Sequence, residues 1–535
     1  MQALPLYSNR GASSRTLTIE TAYSVSDRIR KPMLTVPIRP EPRSTPPKIP
    51  QGASRHWRPV LLLIISALSL QCNLSASSRA NPDETPLSVR LTRSGITGPV
   101  SENDVRLLTS GKETFSSLNY HLHSARNSIY FSSYIFHSDA TGQRVAQLLA
   151  RKAGEGLDVR LFLDAWGSLY FDAEMERDLR TAGVKIVYFR PFEWLRPYRH
   201  LLRNHRRLII IDGRLAMTGG LAIQDAWADM YPDNEIQDIQ LWLQGPLVRE
   251  LSALFMEDWC AAALEQSLES QPQYFRGCPT GMDPGPLTAT DLSSRKTSDT
   301  PSIRADREAI AATSSDKTRD TFQPETELQK DVPGTSRDRT VRDCNPDRAQ
   351  CRVQTAILPT GPGRYRSSIY RFYLLAIQGA QTRIWLVTPY FIPDREFMQS
   401  LSRALDRGLD VRLVMAASET IEEYPVIYVR NPYVQEFLED GGRVFVYEKS
   451  FLHSKAAIFD DSVSVIGTSN LDRRSFDYNH EVDIVSYASG MNASLSNVFL
   501  RYMNDSREIT LEDMQNRSSG TRCLELFWWP LTPQL

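Results

Sequence analysis

The chain has 535 residues, more than one hydrophobic core usually organises, so two domains or two fused copies of one domain are expected. Its 62 Lys+Arg against 63 Asp+Glu leave a formal charge of -1, which argues against a protein held on nucleic acid by bulk electrostatics; any basic site must be local. The six cysteines (Cys72, Cys260, Cys278, Cys344, Cys351, Cys523) form neither CxxC pairs nor a Cys/His cluster, which argues against structural zinc. Cys344 and Cys351 are the candidates for a disulfide, with unpaired thiols as the alternative.

Residues 1–58 are rich in Pro, Ser, Arg and Thr without apolar periodicity and read as a disordered tail. Arg55-His56-Trp57-Arg58 then precede the apolar run Pro59 to Leu70, which has the length of a signal-like core and falls short of the roughly 20 residues of a transmembrane helix. Residues 59–72 are therefore expected to be a signal-like or membrane-anchor segment. Cys72 is a candidate for lipid modification, although Gln71 is a poor residue before such a cleavage point. The basic residues ahead of the run favour a cytoplasmic N-terminal side and place the remainder across the membrane.

From about residue 86 the chain becomes globular and repeats itself. Gly156-Leu157-Asp158-Val159-Arg160-Leu161 recurs as Gly408-Leu409-Asp410-Val411-Arg412-Leu413. In each copy an alternating run, Ser128 to Phe136 or Arg383 to Ile392, predicts a strand, an amphipathic helix precedes the shared hexamer, and a further helix and strand follow. This alternation predicts an α/β sandwich with a largely parallel sheet. The expected domains are 86–264 and 353–510. Residues 265–352, dominated by Ser, Thr, Asp, Arg and Pro, read as a disordered insertion, and 511–535 as a C-terminal tail.

Each copy then delivers the same constellation: His205-Arg206-Arg207 with Asp212, and His453-Ser454-Lys455 with Asp460. On a strand, residues i and i+2 project from one face, so His205 with Arg207, and His453 with Lys455, can converge on one phosphate. Small residues downstream, Gly219-Gly220 and Gly467-Thr468-Ser469-Asn470, allow close backbone approach to an anion. A single such motif is more often a solvated basic patch. Two, at equivalent points of a repeat in a chain with only 8 histidines, point to catalysis. His121, His123, His137, His200 and His480 lack that context and are expected to be structural or solvent-facing.

The paired motifs resemble the phospholipase D superfamily over roughly residues 100–264 and 353–510, and within it the bacterial cardiolipin synthases. Supporting segments are Asp212-Gly213-Arg214 with Thr218-Gly219-Gly220, Gly245-Pro246 after Asp238, Thr388-Pro389-Tyr390-Phe391-Ile392-Pro393, the run Gly467 to Phe476 with Glu481, and Ser506-Arg507-Glu508-Ile509. The resemblance implies two fused α/β sandwich domains related by a pseudo-twofold axis, with the active site at their interface. It implies His205 as nucleophile, His453 as general acid and base, and Arg207 and Lys455 as phosphate donors. Asp212 and Asp460 would orient or polarise the histidines, a structural role for one of them being the alternative. Gly219, Gly220, Ser469, Asn470 and Glu481 would contact substrate, and neither metal nor cofactor is implied.

Two positions depart from the pattern: Arg207 stands where the family usually has Lys, and Ala222 where the second copy has Asn470. The expected reaction is phosphatidyl transfer through a phosphohistidine, two phosphatidylglycerols giving cardiolipin and glycerol, with another phospholipid as a possible partner substrate. The alternatives are a hydrolytic phospholipase D, a nuclease disfavoured by the charge balance, and an inactive membrane-bound scaffold. The expected location is a bacterial inner membrane with the catalytic part facing the periplasm.

Overall fold

The alternating apolar runs of both copies enter one mixed sheet. The computed structural model describes residues 85–192, 202–228, 236–268, 270–278, 344–345, 350–361, 367–420 and 424–530. The first copy contributes β1 (Ser101–Leu108), β2 (Ser128–Ser133), β3 (Asp158–Asp164), β4 (Lys185–Phe189), β5 (Leu208–Ile211), β6 (Leu215–Gly219) and β7 (Gln240–Gln244). The second repeats the series as β8 (Gln350–Thr360), β9 (Arg383–Thr388), β10 (Asp410–Ala416), β11 (Arg443–Tyr447), β12 (Ala456–Phe459), β13 (Val463–Gly467) and β14 (Glu481–Ser486), and β15 (Ser506–Ile509) extends its outer edge.

Across the sheet the order is β15-β11-β10-β9-β12-β13-β14-β8-β1-β7-β6-β5-β2-β3-β4, with the short strand Cys344–Asn345 beside β8. Apart from the added β15, this order is the same read outward from the central antiparallel pair β8·β1, in which Ser101 lies opposite Thr355. That is the pseudo-twofold relation expected from the repeat. The expectation of a largely parallel sheet needs correction, however. Within this sheet, parallel pairing is confined to β2-β3-β4 and β9-β10-β11. The histidine-bearing segments lead into tight hairpins, β5-β6 and β12-β13, which can pair only antiparallel.

Helices cover both faces. α1 (Gly111–Ser124), α2 (Ala140–Gly154), α3 (Ala173–Thr181) and α4 (Leu247–Glu265) recur as α5 (Ser368–Gly379), α6 (Arg395–Asp406), α7 (Tyr424–Glu439) and α8 (Ser489–Asn504). Ser110, Asp139, Asp172 and Asp394 fix four of their starts by accepting a backbone N–H three residues on. On one face, Phe255 and Trp259 of α4 and Leu495 and Phe499 of α8 share a single core with Leu107, Leu243, Ile357 and Ile484, so both copies are welded through one apolar layer. The other face carries one core per copy, under α1 and α2 and under α5 and α6.

Several boundaries differ from the sequence reading. The helix Leu87–Arg93, expected in the first domain, packs Leu87 and Leu91 into the second copy's core, and Arg90 donates to the Gly379 carbonyl. Residues 270–278, expected in the insertion, fold back on α4 through a Cys260–Cys278 disulfide. That bond was not expected from the sequence; the backbones of Cys344 and Cys351, the pair expected there, lie opposite one another. The expected tail forms helices Leu511–Gln515 and Ser519–Trp528, which pack on α7. Residues 1–72, expected to be a disordered tail and a signal-like or anchor segment, and most of the expected insertion, 279–343, lie outside the described residues.

Closing the 18-residue separation with a disulfide should contribute about 3 kcal/mol through the unfolded chain. Cys278→Ser is expected to lower the free energy of unfolding by that amount in a denaturant titration, and reductant should destabilise the native chain but leave the variant unchanged.

Candidate active site

Both motifs lie at the carboxyl ends of the parallel strands. Leu208, just after the first motif, pairs with Ser132 near the end of β2, and Ala456 pairs with Val387 near the end of β9. At the seam the two copies then exchange partners. His205 N–H donates to the His480 carbonyl and His480 N–H to the Arg203 carbonyl, both at 2.9 Å, so the first motif is clamped to the segment entering β14. Symmetrically, Phe451-Leu452 pairs in parallel with Ile236-Gln237, and His453 N–H donates to the Gln237 carbonyl at 2.8 Å.

These backbone clamps place each imidazole against a carboxylate of the opposite copy. His205 Nδ1 lies 2.8 Å from Glu481 Oε2, and His453 Nδ1 lies 2.8 Å from Asp238 Oδ2. A carboxylate at Nδ1 selects the tautomer with the proton there, which leaves the Nε2 lone pair for chemistry. Tyr134 meets the His205 ring edge to face, and Trp227 meets the His453 ring likewise while its indole N–H donates to Asp238 at 3.1 Å.

Burial, helped by Arg207 and Lys455, pushes His205 well below its ordinary value; burial and then Lys455 push His453 down to about 3. Both rings are therefore neutral at rest. Burial would raise the Asp238 carboxyl, but His453 and Lys455 hold it below its ordinary value. Glu481, fully buried, is pushed up to about 7 by that burial despite the Thr468 hydroxyl, which donates to it at 2.6 Å.

The cations point the same way. Lys455 Nζ donates to the His453 carbonyl at 2.6 Å, and burial lowers it to about 7. Arg207 is 3% exposed, its Nε has no partner, and its Nη1 makes a long 3.5 Å contact to the His205 carbonyl. A buried guanidinium with an idle donor is suited to a substrate anion. The Arg207 expectation thus has a physical basis, since its planar fork occupies the position equivalent to Lys455.

The motif aspartates require a correction. Both sit in the left-handed region, Asp212 at φ 54 and Asp460 at φ 53, at the turn of a hairpin. The Asp212 carboxylate accepts from the backbone N–H groups of Arg126, Asn127 and Ser128, and that of Asp460 from Gln381, Thr382 and Arg383. They anchor the loops entering β2 and β9, and the orienting role falls to Asp238 and Glu481.

The residues expected at the substrate also have surroundings within the protein. Gly219 and Gly220 are small because a Cβ at Gly220 would come within 2.2 Å of Asp238 Oδ2 and one at Gly219 within 2.3 Å of the Ile239 carbonyl. The Ser469 hydroxyl and N–H are held by Asp483. Asn470 keeps a buried side-chain carbonyl without a partner, whereas Ala222 is fully buried in the first copy's core, so the two half-sites are unequal.

A network absent from the sequence reading sits behind the His205–Glu481 pair. Asp258 of α4 binds Arg206 Nη1 at 2.5 Å and His480 Nδ1 at 3.0 Å, and Arg206 also donates to the carbonyls of Glu481 and Thr360. One carboxylate therefore fixes the chain neighbours of both members of the pair. The equivalent tether in the second copy is neutral, Ser454 to the Tyr502 hydroxyl at 2.9 Å.

Glu481→Gln and Asp238→Asn should each lower kcat by about 10²–10⁴ with little change in unfolding midpoint, as expected when an imidazole loses its orienting anion. Asp460→Ala should do the reverse, costing about 2 kcal/mol of stability with kcat changed only several-fold. Phosphodiester affinity should also fall as pH rises through about 7, where Lys455 loses its proton and Glu481 and Asp483, both raised to about 7 by burial, gain charge. Titrating a soluble short-chain phosphatidylglycerol between pH 5 and 9 should show a loss of up to about tenfold per pH unit above 7, shallower in Lys455→Arg.

The family model described as "Cardiolipin synthase, PLD-like domain" matches residues 118–259 and 373–503, one match on each copy. A cardiolipin synthase of Geobacillus sp. is 30% identical over 443 residues, covering 82% of this chain and 74% of the relative. One from Halalkalibacterium halodurans is 29% identical over 453 residues, covering 84% and 76%. The crystal structure of phosphatidylserine synthase from Haemophilus influenzae superposes with a TM-score of 0.58 at 13% identity, covering 84% of this chain and all of that one, a likeness of fold. With both copies matched and the crossed histidine pairs at their seam, the chain belongs to the phospholipase D-like cardiolipin synthase family.

Proposed function

We propose that this chain is a phosphatidyltransferase that converts two phosphatidylglycerols into cardiolipin and glycerol. The supporting observation is the pair of buried, neutral imidazoles, each held at Nδ1 by a carboxylate of the opposite copy and sharing the potential of Arg207 and Lys455. The names and coverage of the relatives support the acceptor.

His205 Nε2 attacks phosphorus of the first phosphatidylglycerol, and the bond from phosphorus to the glycerol headgroup oxygen breaks. His453 supplies the proton to that oxygen, and free glycerol leaves. Because His453 is neutral at rest, it takes up its proton together with the substrate anion, whose charge offsets the imidazolium. The phosphatidyl group then rests on His205. His453 next removes the proton from the terminal hydroxyl of a second phosphatidylglycerol, whose oxygen attacks phosphorus and breaks the bond to nitrogen; His205 is freed, and His453 gives up its proton to solvent as the product leaves. Arg207, Lys455 and Asn470 stabilise the phosphoryl oxygens throughout. Water in place of the second lipid would give phosphatidic acid.

The catalytic part is placed on the periplasmic side of a bacterial inner membrane. The Cys260–Cys278 disulfide supports that side, since such bonds persist in oxidising compartments, as do the basic residues preceding the apolar run at Pro59 to Leu70.

Incubation of the purified protein with phosphatidylglycerol and chelator should yield cardiolipin and glycerol in equal amounts. His205→Ala should abolish both and form no phosphoenzyme, and His453→Ala should reduce turnover by at least about 10². Phosphatidic acid as the sole lipid product would assign a hydrolase instead, and absence of turnover would favour a scaffold.

A further inference from the structure

Large apolar side chains are unevenly distributed over the surface. Among the described residues, eleven are prominently exposed, and eight of them fall into two groups: Trp166, Leu169, Tyr170 and Phe192 in the first copy, and Leu524, Leu526, Phe527 and Trp529 at the C-terminus. The first group lies on the loops that leave the carboxyl ends of β3 and β4, the end of the sheet at which the histidines sit. Asp164, which closes β3, binds the N–H groups of Trp166 and Gly167 and also the N–H of Asn204, next to His205.

The second group belongs to the helix Ser519–Trp528, which is inside out. Its one buried residue is Glu525, held by Asn431 and Arg517, while Leu526 and Phe527 are 77% and 67% exposed. Trp528 packs on the cluster of Ile392, Val426 and Val429, and Phe391-Ile392 pairs with Leu471-Asp472, directly after Asn470, so this helix too stands at the mouth of the site. A helix that turns its carboxylate inward and its apolar side chains outward is built to be covered.

The mouth between the two groups is cationic, with Arg474 acting on His205 alongside Arg207 and Lys455. A small cavity of about 10 Å³, room for one water, lies against Arg207 between Ser132, Thr218, Leu221 and Gln240.

We propose that the site end of the sheet is a membrane-docking face, in which Trp166, Leu169, Tyr170, Phe192, Leu526 and Phe527 enter the interfacial layer of an anionic phospholipid bilayer and hold the mouth against the headgroups. The mix of Trp, Tyr, Phe and Leu around a cationic centre is the composition of side chains that settle at a bilayer surface. The inference rests on the phospholipid substrate proposed above and assigns the surface through which that substrate arrives.

The test uses the full chain. Because the apolar run Pro59 to Leu70 can itself hold the chain on vesicles, co-sedimentation is not the readout. The double variant Leu526→Glu with Phe527→Glu should turn over phosphatidylglycerol vesicles at least tenfold more slowly than the native chain, while both turn over monomeric dihexanoyl phosphatidylglycerol at the same rate. Equal rates on vesicles overturn the proposal. In parallel, a polarity-sensitive fluorophore on the exposed thiol of Cys523, with Cys523→Ser as background, should shift to the blue only when phosphatidylglycerol vesicles are added. No shift with vesicles, or a shift already present without lipid that grows with protein concentration, overturns it, the latter in favour of a second copy as the occupant. If the native chain turns over neither substrate, the proposed reaction fails while the fluorophore still decides the docking face.

Discussion

Everything at the seam depends on one exchange: each histidine takes its carboxylate from the other copy. His205 has Glu481, His453 has Asp238, and the backbone clamps at His480 and Gln237 hold donor and acceptor together before any substrate is present. An unpaired carboxylate or a drifting imidazole at this depth would be costly, so the pairs must be formed by rigid elements. The central β8·β1 pairing and the apolar layer of α4 and α8 supply that rigidity. Neither copy alone contains a complete histidine–carboxylate pair, so the site exists only when the seam is closed.

The exchange also accommodates unequal halves. On the His205 side a charged tether, Arg206–Asp258–His480, lies behind the pair, and Arg207 offers an idle donor, but Ala222 offers no amide. The His453 side has the neutral Ser454–Tyr502 tether, an indole N–H on Asp238, and Asn470. In the proposed reaction the phosphate would be bound between the two halves, where a donor lost from one is replaced by what the other presents. A single-copy enzyme would have no such latitude, and the Arg207 and Ala222 departures are consistent with tuning rather than decay.

Much of this was legible in the sequence. The repeated hexamer and the two motifs located the strands that carry His205, Arg207, His453 and Lys455, because period-two alternation and identical offsets survive without any knowledge of contacts. What was not legible is what the seam adds. The stretch from His205 to Asp238 is longer than that from His453 to Glu481, so counting along the repeat does not align the two carboxylates, and their partners lie in the other copy. Asp212 and Asp460 stand at the same offset from each histidine because each closes the hairpin of its own copy. Constant spacing signalled a turn, and variable spacing concealed the orienting groups.

The same distinction explains the strand directions and the C-terminus. Alternating strands and helices correctly implied β2-β3-β4 and β9-β10-β11, where crossovers enforce parallel pairing, but no local signal says that the motif hairpins and the copies themselves join antiparallel. The segment after residue 510 read as a tail because its helix lacks an inward apolar stripe: Glu525 faces the protein and Leu526 and Phe527 face out. A helix of that pattern is held by polar contacts to α7 and by Trp528, and its apolar side is left for something outside the chain. The failure of the usual hydrophobic rule at Ser519–Trp528 is thus itself informative, since sequences depart from folding rules mainly where a surface has work beyond folding.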